Sequence, residues 1–354
     1  MHDLVVLAVS RTFGFSGWKY ANEFEFKHEL FHRLASLTAN GIGLAQQVPR
    51  TPSCRLHAEG KVLNGYARKA DLLICDPRRR QSFNYEVEYV IELKRALTAR
   101  TVAEELEKFR SYGRVYKALY LIAPSPSNAR AELDIEDPSS IHLLHPGILA
   151  PIQGSDFIGN QVLDLDDALT IVERAIDDTL GLYGRGREQY HSFFWCNYEH
   201  ETWRKHSFPS EGDFNAHLYH ALRQLLPATV EIRSEVHPPG ESKLRVDFVI
   251  CDGEGRWAIP IEVKMNWDQF KPAYRNGSVK TAEASLIIHR LQAIAAAYPL
   301  ARPVLVVIQG EWQLPRDIRS RALPLLEASE KPLELVMYDE QREMVVRRIL
   351  CPGR

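Results

Sequence analysis

The sequence predicts an α/β protein in which one arrangement of helices and strands occurs twice. Both halves show the order helix–strand–strand–strand–helix–strand, and the segments "DLLICD" (71–76) and "DFVICD" (247–252) share four of six letters. These segments start 176 residues apart, about half of the 354-residue chain. We therefore expect an internal duplication, with a central mixed β-sheet flanked by helices in each half. Two unrelated α/β domains with similar strands are the alternative.

Length and composition agree with two globular domains. The chain exceeds one ordinary domain of roughly 100–200 residues, and it is 45% hydrophobic and 25% charged, as expected for a soluble protein. We predict an N-terminal domain at 1–160, a helix plus an aromatic-rich linker at 161–212, and a C-terminal domain at 213–354. The formal charge of −2 argues neither for nor against a nucleic-acid partner, so a binding surface would have to be a local patch.

The sequence also indicates a cytoplasmic protein. No apolar run approaches the roughly 20 residues that a membrane helix needs. The opening "MHDLVVLAVSRTF" lacks a basic start, so we interpret it as a first strand and not as a signal peptide. The five cysteines show no CxxC spacing and are expected to be reduced. No GxxxxGK[ST] motif occurs, which excludes an encoded ATP-driven motor of the P-loop class.

Apolar periodicity assigns the elements of each half. In the first half, two helices and three strands are expected at "EFEFKHELFHRLASLTA", "KADLLICD", "YVIELK", "TVAEELEKFRSYGRVY" and "KALYLIAP". In the second half, the corresponding elements are "GDFNAHLYHALRQLL", "TVEIRSEV", "LRVDFVICD", "WAIPIEVK", "VKTAEASLIIHRLQAIAAAY" and "RPVLVVIQG". A further helix is expected over 162–184, ended by Gly184.

Each half places two carboxylates near a lysine. Alternate side chains of a strand share one face, so the glutamate and the lysine of "IELK" and "IEVK" lie side by side, opposite the apolar residues between them. An aspartate on the neighbouring strand completes the group. The residues are Asp71, Glu92 and Lys94 in the first half and Asp247, Glu262 and Lys264 in the second. Carboxylates and waters are the ligands that Mg²⁺ prefers, and a lysine can stabilise developing negative charge. The alternative is that these charges only cap strand ends or pair with one another.

The segments "ADLLICD…VIELK" and "VDFVICDGEGRWAIPIEVK" resemble the core of the PD-(D/E)XK nuclease superfamily, which has the restriction-endonuclease-like fold. The resemblance covers most of residues 20–125 and 213–310. It implies two tandem restriction-endonuclease-like domains and an Mg²⁺- or Mn²⁺-dependent endonuclease acting on DNA, in restriction, phage defence or DNA repair. It also implies that Asp71, Glu92, Asp247 and Glu262 are metal ligands and that Lys94 and Lys264 are catalytic.

Two further groups belong to this hypothesis. Glu29, on the preceding helix, is a candidate for a second ion or for orienting a ligand. Aligning "ELFHRL" (29–34) with "HLYHAL" (217–222) places His217 at that position in the second half, which favours the first half as the working copy. Arg78, Arg79 and Arg80 are expected in a loop near the metal, where they could bind phosphates.

Other chemistry was weighed against this hypothesis. "HELFH" (28–32) satisfies the HExxH zinc-hydrolase pattern, and a zinc clip would use His191, Cys196, His200 and His206. The aromatic residues between 190 and 208 could stack on bases or pack one domain against another. The principal rival function is a non-catalytic module that binds nucleic acid or protein on a duplicated nuclease scaffold.

Overall fold

The computed structural model describes fifteen segments of the chain. They are residues 1–15, 22–37, 55–58, 70–81, 84–110, 116–125, 141–152, 163–190, 211–240, 245–264, 274–275, 278–279, 283–308, 333–339 and 344–350. The fold is mixed α/β, and the described residues form six helices and two mixed sheets beside a short two-stranded ribbon. None of these helices is both long and apolar enough to cross a bilayer.

Contacts divide the chain into two compact units. The first comprises the described residues within Met1–Asp156 and Glu188–His200, together with Gly212–His220. The second comprises those within Phe157–Arg187, Glu201–Glu211 and Ala221–Arg354. The predicted boundaries at residues 160 and 212 stay predictions, since 153–162 and 191–210 lie outside the described part of the chain.

The first unit contains a five-stranded mixed sheet. Its helices are α1 (His2–Gly14), α2 (Glu23–Leu37) and α3 (Ala99–Arg110), and its strands are β1 (Arg55–Ala58), β2 (Leu72–Gln81), β3 (Asn84–Leu93), β4 (Ala118–Ile122) and β5 (Ile141–Leu144). The strands lie in sequence order: β1, β2 and β3 pair antiparallel, and β4 and β5 are added in parallel. The helix α3 connects the parallel pair β3 and β4.

Helices cover both faces of this sheet. Ile91 of β3 belongs to a buried cluster with Phe26 of α2, whereas Val90 belongs to a second cluster with Phe109 of α3. Neighbouring residues of β3 therefore face different helices, as the period of two requires. Glu92 has the same parity as Val90 and lies on the α3 face.

The second unit repeats this strand pairing. Its helices are α6 (Glu283–Ala295) and most of α4 (Leu165–Tyr190), whose residues from Glu188 onward belong to the first unit. The helix α5 (Glu211–Leu225) is shared, because Gly212–His220 belongs to the first unit and its two ends belong to the second. Its strands are β6 (Val230–Val236), β7 (Val246–Asp252), β8 (Trp257–Lys264), β9 (Tyr274–Arg275), β10 (Ser278–Val279), β11 (Leu300–Ala301), β12 (Val304–Ile308), β13 (Leu333–Asp339) and β14 (Met344–Leu350). The strands β6, β7 and β8 pair antiparallel, β12 and β13 follow in parallel, and β14 is antiparallel at the edge. The helix α6 packs Ile287 and Leu291 against Val249 and Leu305.

The prediction of a first strand at the N-terminus is wrong, because this segment is the helix α1. Its buried residues include Val5, Ala8, Val9, Thr12 and Phe13. These positions recur at intervals of three and four, which is the spacing of one helix face. The short run of consecutive apolar residues concealed that period.

The predicted helix end at Gly184 is also wrong. The helix α4 begins at Leu165 and continues to Tyr190. A glycine inside a helix costs only about 1 kcal/mol relative to alanine. The arginine, glutamate and glutamine that follow are good helix formers, so they favour continuation.

The backbone of Arg78, Arg79 and Arg80 belongs to β2, and the predicted loop is wrong at these positions. The hairpin of β2 and β3 pairs as far as Gln81 with Asn84, with a bulge between Asp76 and Arg80. The side chains of the three arginines lie outside the described part of the structure. Their role as phosphate ligands stays a prediction.

Candidate functional site

One hydrogen bond joins the predicted aspartate to the Glu-x-Lys segment in the first unit. Asp71 directly precedes β2, and its Oδ2 accepts a hydrogen bond from the backbone N–H of Leu93 at 2.8 Å. Leu93 stands between Glu92 and Lys94, so this bond brings the three predicted residues to one corner of the sheet. The Nζ of Lys94 lies 3.7 Å from Oε2 of Glu92.

The second unit contains the same hydrogen bond at the corresponding place. Oδ2 of Asp247 accepts from the backbone N–H of Val263 at 2.7 Å, and Val263 stands between Glu262 and Lys264. The Nζ of Lys264 lies 3.0 Å from Oε1 of Glu262 and 3.9 Å from Oδ2 of Asp247. The two units therefore hold the aspartate, the glutamate and the lysine in equivalent arrangements.

A cation from the crossover helix binds the glutamate in each unit. The Nζ of Lys108 in α3 donates to Oε1 of Glu92 at 2.6 Å. In the second unit, Nη1 of Arg290 in α6 donates to Oε1 of Glu262 at 3.1 Å. Neither cation is predicted from the sequence. They follow the motif lysines by 14 and 26 residues, so no common spacing reveals them.

In each unit, the helix before the sheet contributes a carboxylate near the aspartate, glutamate and lysine. This carboxylate belongs to the first residue of the helix. The helix α2 begins at Glu23 and α5 begins at Glu211. Oε1 of Glu211 lies 3.2 Å from Nζ of Lys264. The pKa of Glu23 is raised by burial and by the charge of Asp71, while Lys94 opposes the shift. The alignment of "ELFHRL" with "HLYHAL", 188 residues apart, also superposes Glu23 on Glu211. That signal would have identified both residues.

The structure places Glu29 in a different group of contacts. Its side chain is fully buried, its Oε1 accepts from Nε of Arg33 at 2.7 Å, and its Oε2 accepts from the hydroxyl of Tyr219 at 2.8 Å. Six residues separate it from Glu23, which is about 9 Å along a helix. We therefore assign the helix carboxylate of the first site to Glu23.

The HExxH segment takes part in helix packing. Nδ1 of His32 lies 2.9 Å from Nδ1 of His220, and the His28 ring stacks on Tyr219. Burial lowers the pKa of both His28 and His220, which favours their neutral forms. The described residues include no group of three or more His, Cys, Asp or Glu side chains arranged to hold a metal ion. The zinc clip predicted from His191, Cys196, His200 and His206 lies outside the described residues.

Burial and like charge disfavour ionisation of both motif glutamates. Glu92 is 2% exposed and Glu262 is 1% exposed. Burial, followed by the charge of Asp71, raises the pKa of Glu92 to about 8 and outweighs the attraction of Lys108. Burial and the charge of Asp247 likewise raise the pKa of Glu262 to about 8. In each unit, the nearby cations therefore do not offset the effect of burial and of the neighbouring aspartate on the glutamate.

The carboxylates have the opposite effect on the lysines. Burial lowers the pKa of Lys94, but its hydrogen bond to Glu105 and the charges of Glu92 and Asp71 outweigh burial and raise it. Lys264 shows the same balance, with Asp247 and Glu262 as the main partners that raise its pKa. Both lysines are therefore cations at neutral pH and can interact with an anionic ligand.

A cavity opens beside the first group. Its volume is about 220 Å³, and its lining includes Glu23, Lys94, Arg95 and Ser125. At about 30 Å³ per water molecule in the liquid, this space holds roughly seven waters. A hydrated ion and a phosphate group would fit such a volume.

Comparison with known proteins assigns no family. No protein-family model matches the chain, and neither does any curated protein or any solved structure.

Proposed function

We propose that the protein is a metal-dependent nuclease that hydrolyses DNA phosphodiester bonds with Mg²⁺ or Mn²⁺. One observation carries the proposal: in each unit an aspartate bonds to the N–H between the glutamate and the lysine. This bond sets two carboxylates and an ammonium group at one corner of a mixed sheet. The resemblance of these segments to the PD-(D/E)XK superfamily supports the same chemistry.

The donor set fits a hard divalent ion. Mg²⁺ usually takes one or two protein carboxylates and completes its shell with waters and substrate oxygens. Burial, followed by the charge of Asp71, raises the pKa of Glu92, and a divalent ion bound between the two carboxylates would favour their ionised forms. Asp71 and Glu92 would hold it in the first unit, and Asp247 and Glu262 occupy the equivalent positions of the second. Bound there, the ion would acidify a water and neutralise phosphate charge.

The chain's own residues supply the other functions. Lys94 is a cation beside the cavity, so its ammonium group can donate a hydrogen bond to a phosphate oxygen as negative charge develops. The hydrogen bond from the N–H of Leu93 holds the Asp71 carboxylate in place. Lys108 orients Glu92 from the helix. Glu23 adds a carboxylate that lines the same cavity as Lys94.

The test is cleavage of plasmid and single-stranded DNA with Mg²⁺ or Mn²⁺. It compares the wild type with Lys94→Ala, Lys264→Ala and the double variant. Loss of one donor to developing charge lowers the rate by about 10²–10³-fold, so at least one single variant and the double variant should lose most of the activity. Lys117→Ala is the matched control, because Lys117 pairs with Glu88 at the surface. Absence of cleavage by the wild type with either metal, or full activity of the double variant, would refute the proposal.

A non-catalytic binding module is the second candidate. It is favoured by the pairing of each motif glutamate with a helix cation, Lys108 or Arg290, since such a network is stable without an ion. A module of this kind would shift DNA in a gel equally well in EDTA and in Mg²⁺. It would also show no heat of Mn²⁺ binding.

A further inference from the structure

The charged residues around the motif lysine of each unit, called here the first and the second constellation, differ in formal charge. The first contains four carboxylates. Three are those of Glu23, Asp71 and Glu92, and the fourth is Glu105, which lies 3.0 Å from Nζ of Lys94 and 3.2 Å from Nζ of Lys108. Among the described ion pairs, the ammonium groups of Lys94 and Lys108 oppose the four, and a count of these paired groups leaves an excess of two negative charges. The charge of Lys27 also acts on Glu23. In the second, three carboxylates face Lys264 and Arg290, which leaves an excess of one.

The origin of this difference is one helix position. Glu105 stands three residues before Lys108 in α3, and Ile287 stands three residues before Arg290 in α6. Ile287 is fully buried in the apolar cluster of the second unit. The second unit therefore uses this position for packing, and the first uses it for a carboxylate.

The two lysines differ in access. Lys264 contacts three carboxylates, those of Glu211, Glu262 and Asp247, and its side chain is 8% exposed. The Lys94 side chain is 25% exposed and lines the 220 Å³ cavity. Lys94 also pairs with two carboxylates, those of Glu92 and Glu105, but its greater exposure and the adjoining cavity let a ligand anion reach it.

We infer that the first unit alone binds the divalent ion and the phosphate, and that the charged residues of the second unit form a buried ion-pair network that binds neither. The inference rests on the proposed function and names the unit that performs it. The excess negative charge of the first group matches a divalent cation, and its cavity has room for that cation with its waters. The second group has one fewer carboxylate and a buried, saturated lysine.

The test uses a matched pair of variants, Asp71→Asn and Asp247→Asn. Each keeps an oxygen that can accept the N–H of Leu93 or of Val263, so each makes the same change to the same bond. Mn²⁺ binding is measured by isothermal titration calorimetry on the full chain, with DNA cleavage as a second readout. We expect Asp71→Asn to weaken Mn²⁺ binding by at least about tenfold and to abolish cleavage, and Asp247→Asn to leave both unchanged.

Two results would contradict the inference, and a third would contradict the nuclease proposal alone. If Asp247→Asn removes half of the Mn²⁺ sites or weakens binding as much as Asp71→Asn, both units bind metal and the nuclease proposal stands without the inference. If the wild type binds no Mn²⁺ and cuts no DNA, both proposals fail. If Mn²⁺ binds the first unit without cleavage in any variant, only the nuclease proposal fails. Should either Asn variant melt at a lower temperature than the wild type, Glu92→Gln and Glu262→Gln replace the pair.

Discussion

Replacing Glu92 by glutamine is expected to stabilise the metal-free protein increasingly as the pH rises from 5 to 8. In the folded state the pKa of Glu92 is about 8, against an ordinary value of 4.5. Below pH 4.5 both the folded and the unfolded state hold the proton. Between 4.5 and 8 only the folded state holds it, so unfolding releases a proton and stability falls as the pH rises. Glutamine cannot ionise, so the stability of the variant does not fall with pH for this reason.

The magnitude follows from the size of the shift. One pKa unit corresponds to about 1.4 kcal/mol. The difference in free energy of unfolding between the variant and the wild type should therefore rise by at most about 1.4 kcal/mol per pH unit. Over the full window the ceiling is about 5 kcal/mol. Lys108 keeps its contact with Glu105 in the variant, so the substitution does not leave that ammonium group unpaired.

The assay is urea denaturation in EDTA at pH 5, 6, 7 and 8, followed by far-ultraviolet circular dichroism. Glu104→Gln is the control, because Glu104 lies on α3, the helix that carries Lys108, and its side chain is largely exposed. We expect its stability relative to the wild type to be independent of pH. The reasoning is refuted if the difference between Glu92→Gln and the wild type stays flat from pH 5 to 8 or falls with pH. Either result would mean that Glu92 is ionised in the folded protein at neutral pH.

Two further variants test the assignment of the helix carboxylates. Glu23→Gln should lower the metal-dependent cleavage rate by about tenfold or more while leaving the melting temperature near that of the wild type. A normal rate would exclude Glu23 from the site. Tyr219→Phe removes the hydroxyl that donates to Glu29. This change should lower the free energy of unfolding by about 1–2 kcal/mol without changing cleavage below the melting temperature. Loss of cleavage in Tyr219→Phe at full stability would return Glu29 to the active site.

The sequence by itself determined the strands that carry the chemistry. Alternation with a period of two is a local property, so it placed Glu92 and Lys94 on one face of β3 and the apolar Ile91 on the other. The repeated order of elements similarly predicted both sheets and the helices between their strands. These predictions depended only on neighbours along the chain.

Tertiary structure decided which residues complete each site. Lys108 and Arg290 reach the glutamates because crossover helices pack over the sheets, and no spacing in the sequence encodes that approach. The choice between Glu23 and Glu29 depended on which end of α2 lies at the corner of the sheet, although both are acidic residues on one helix. Burial, charge balance and the cavity likewise arise from contacts between distant segments, and these properties distinguish the first unit from the second.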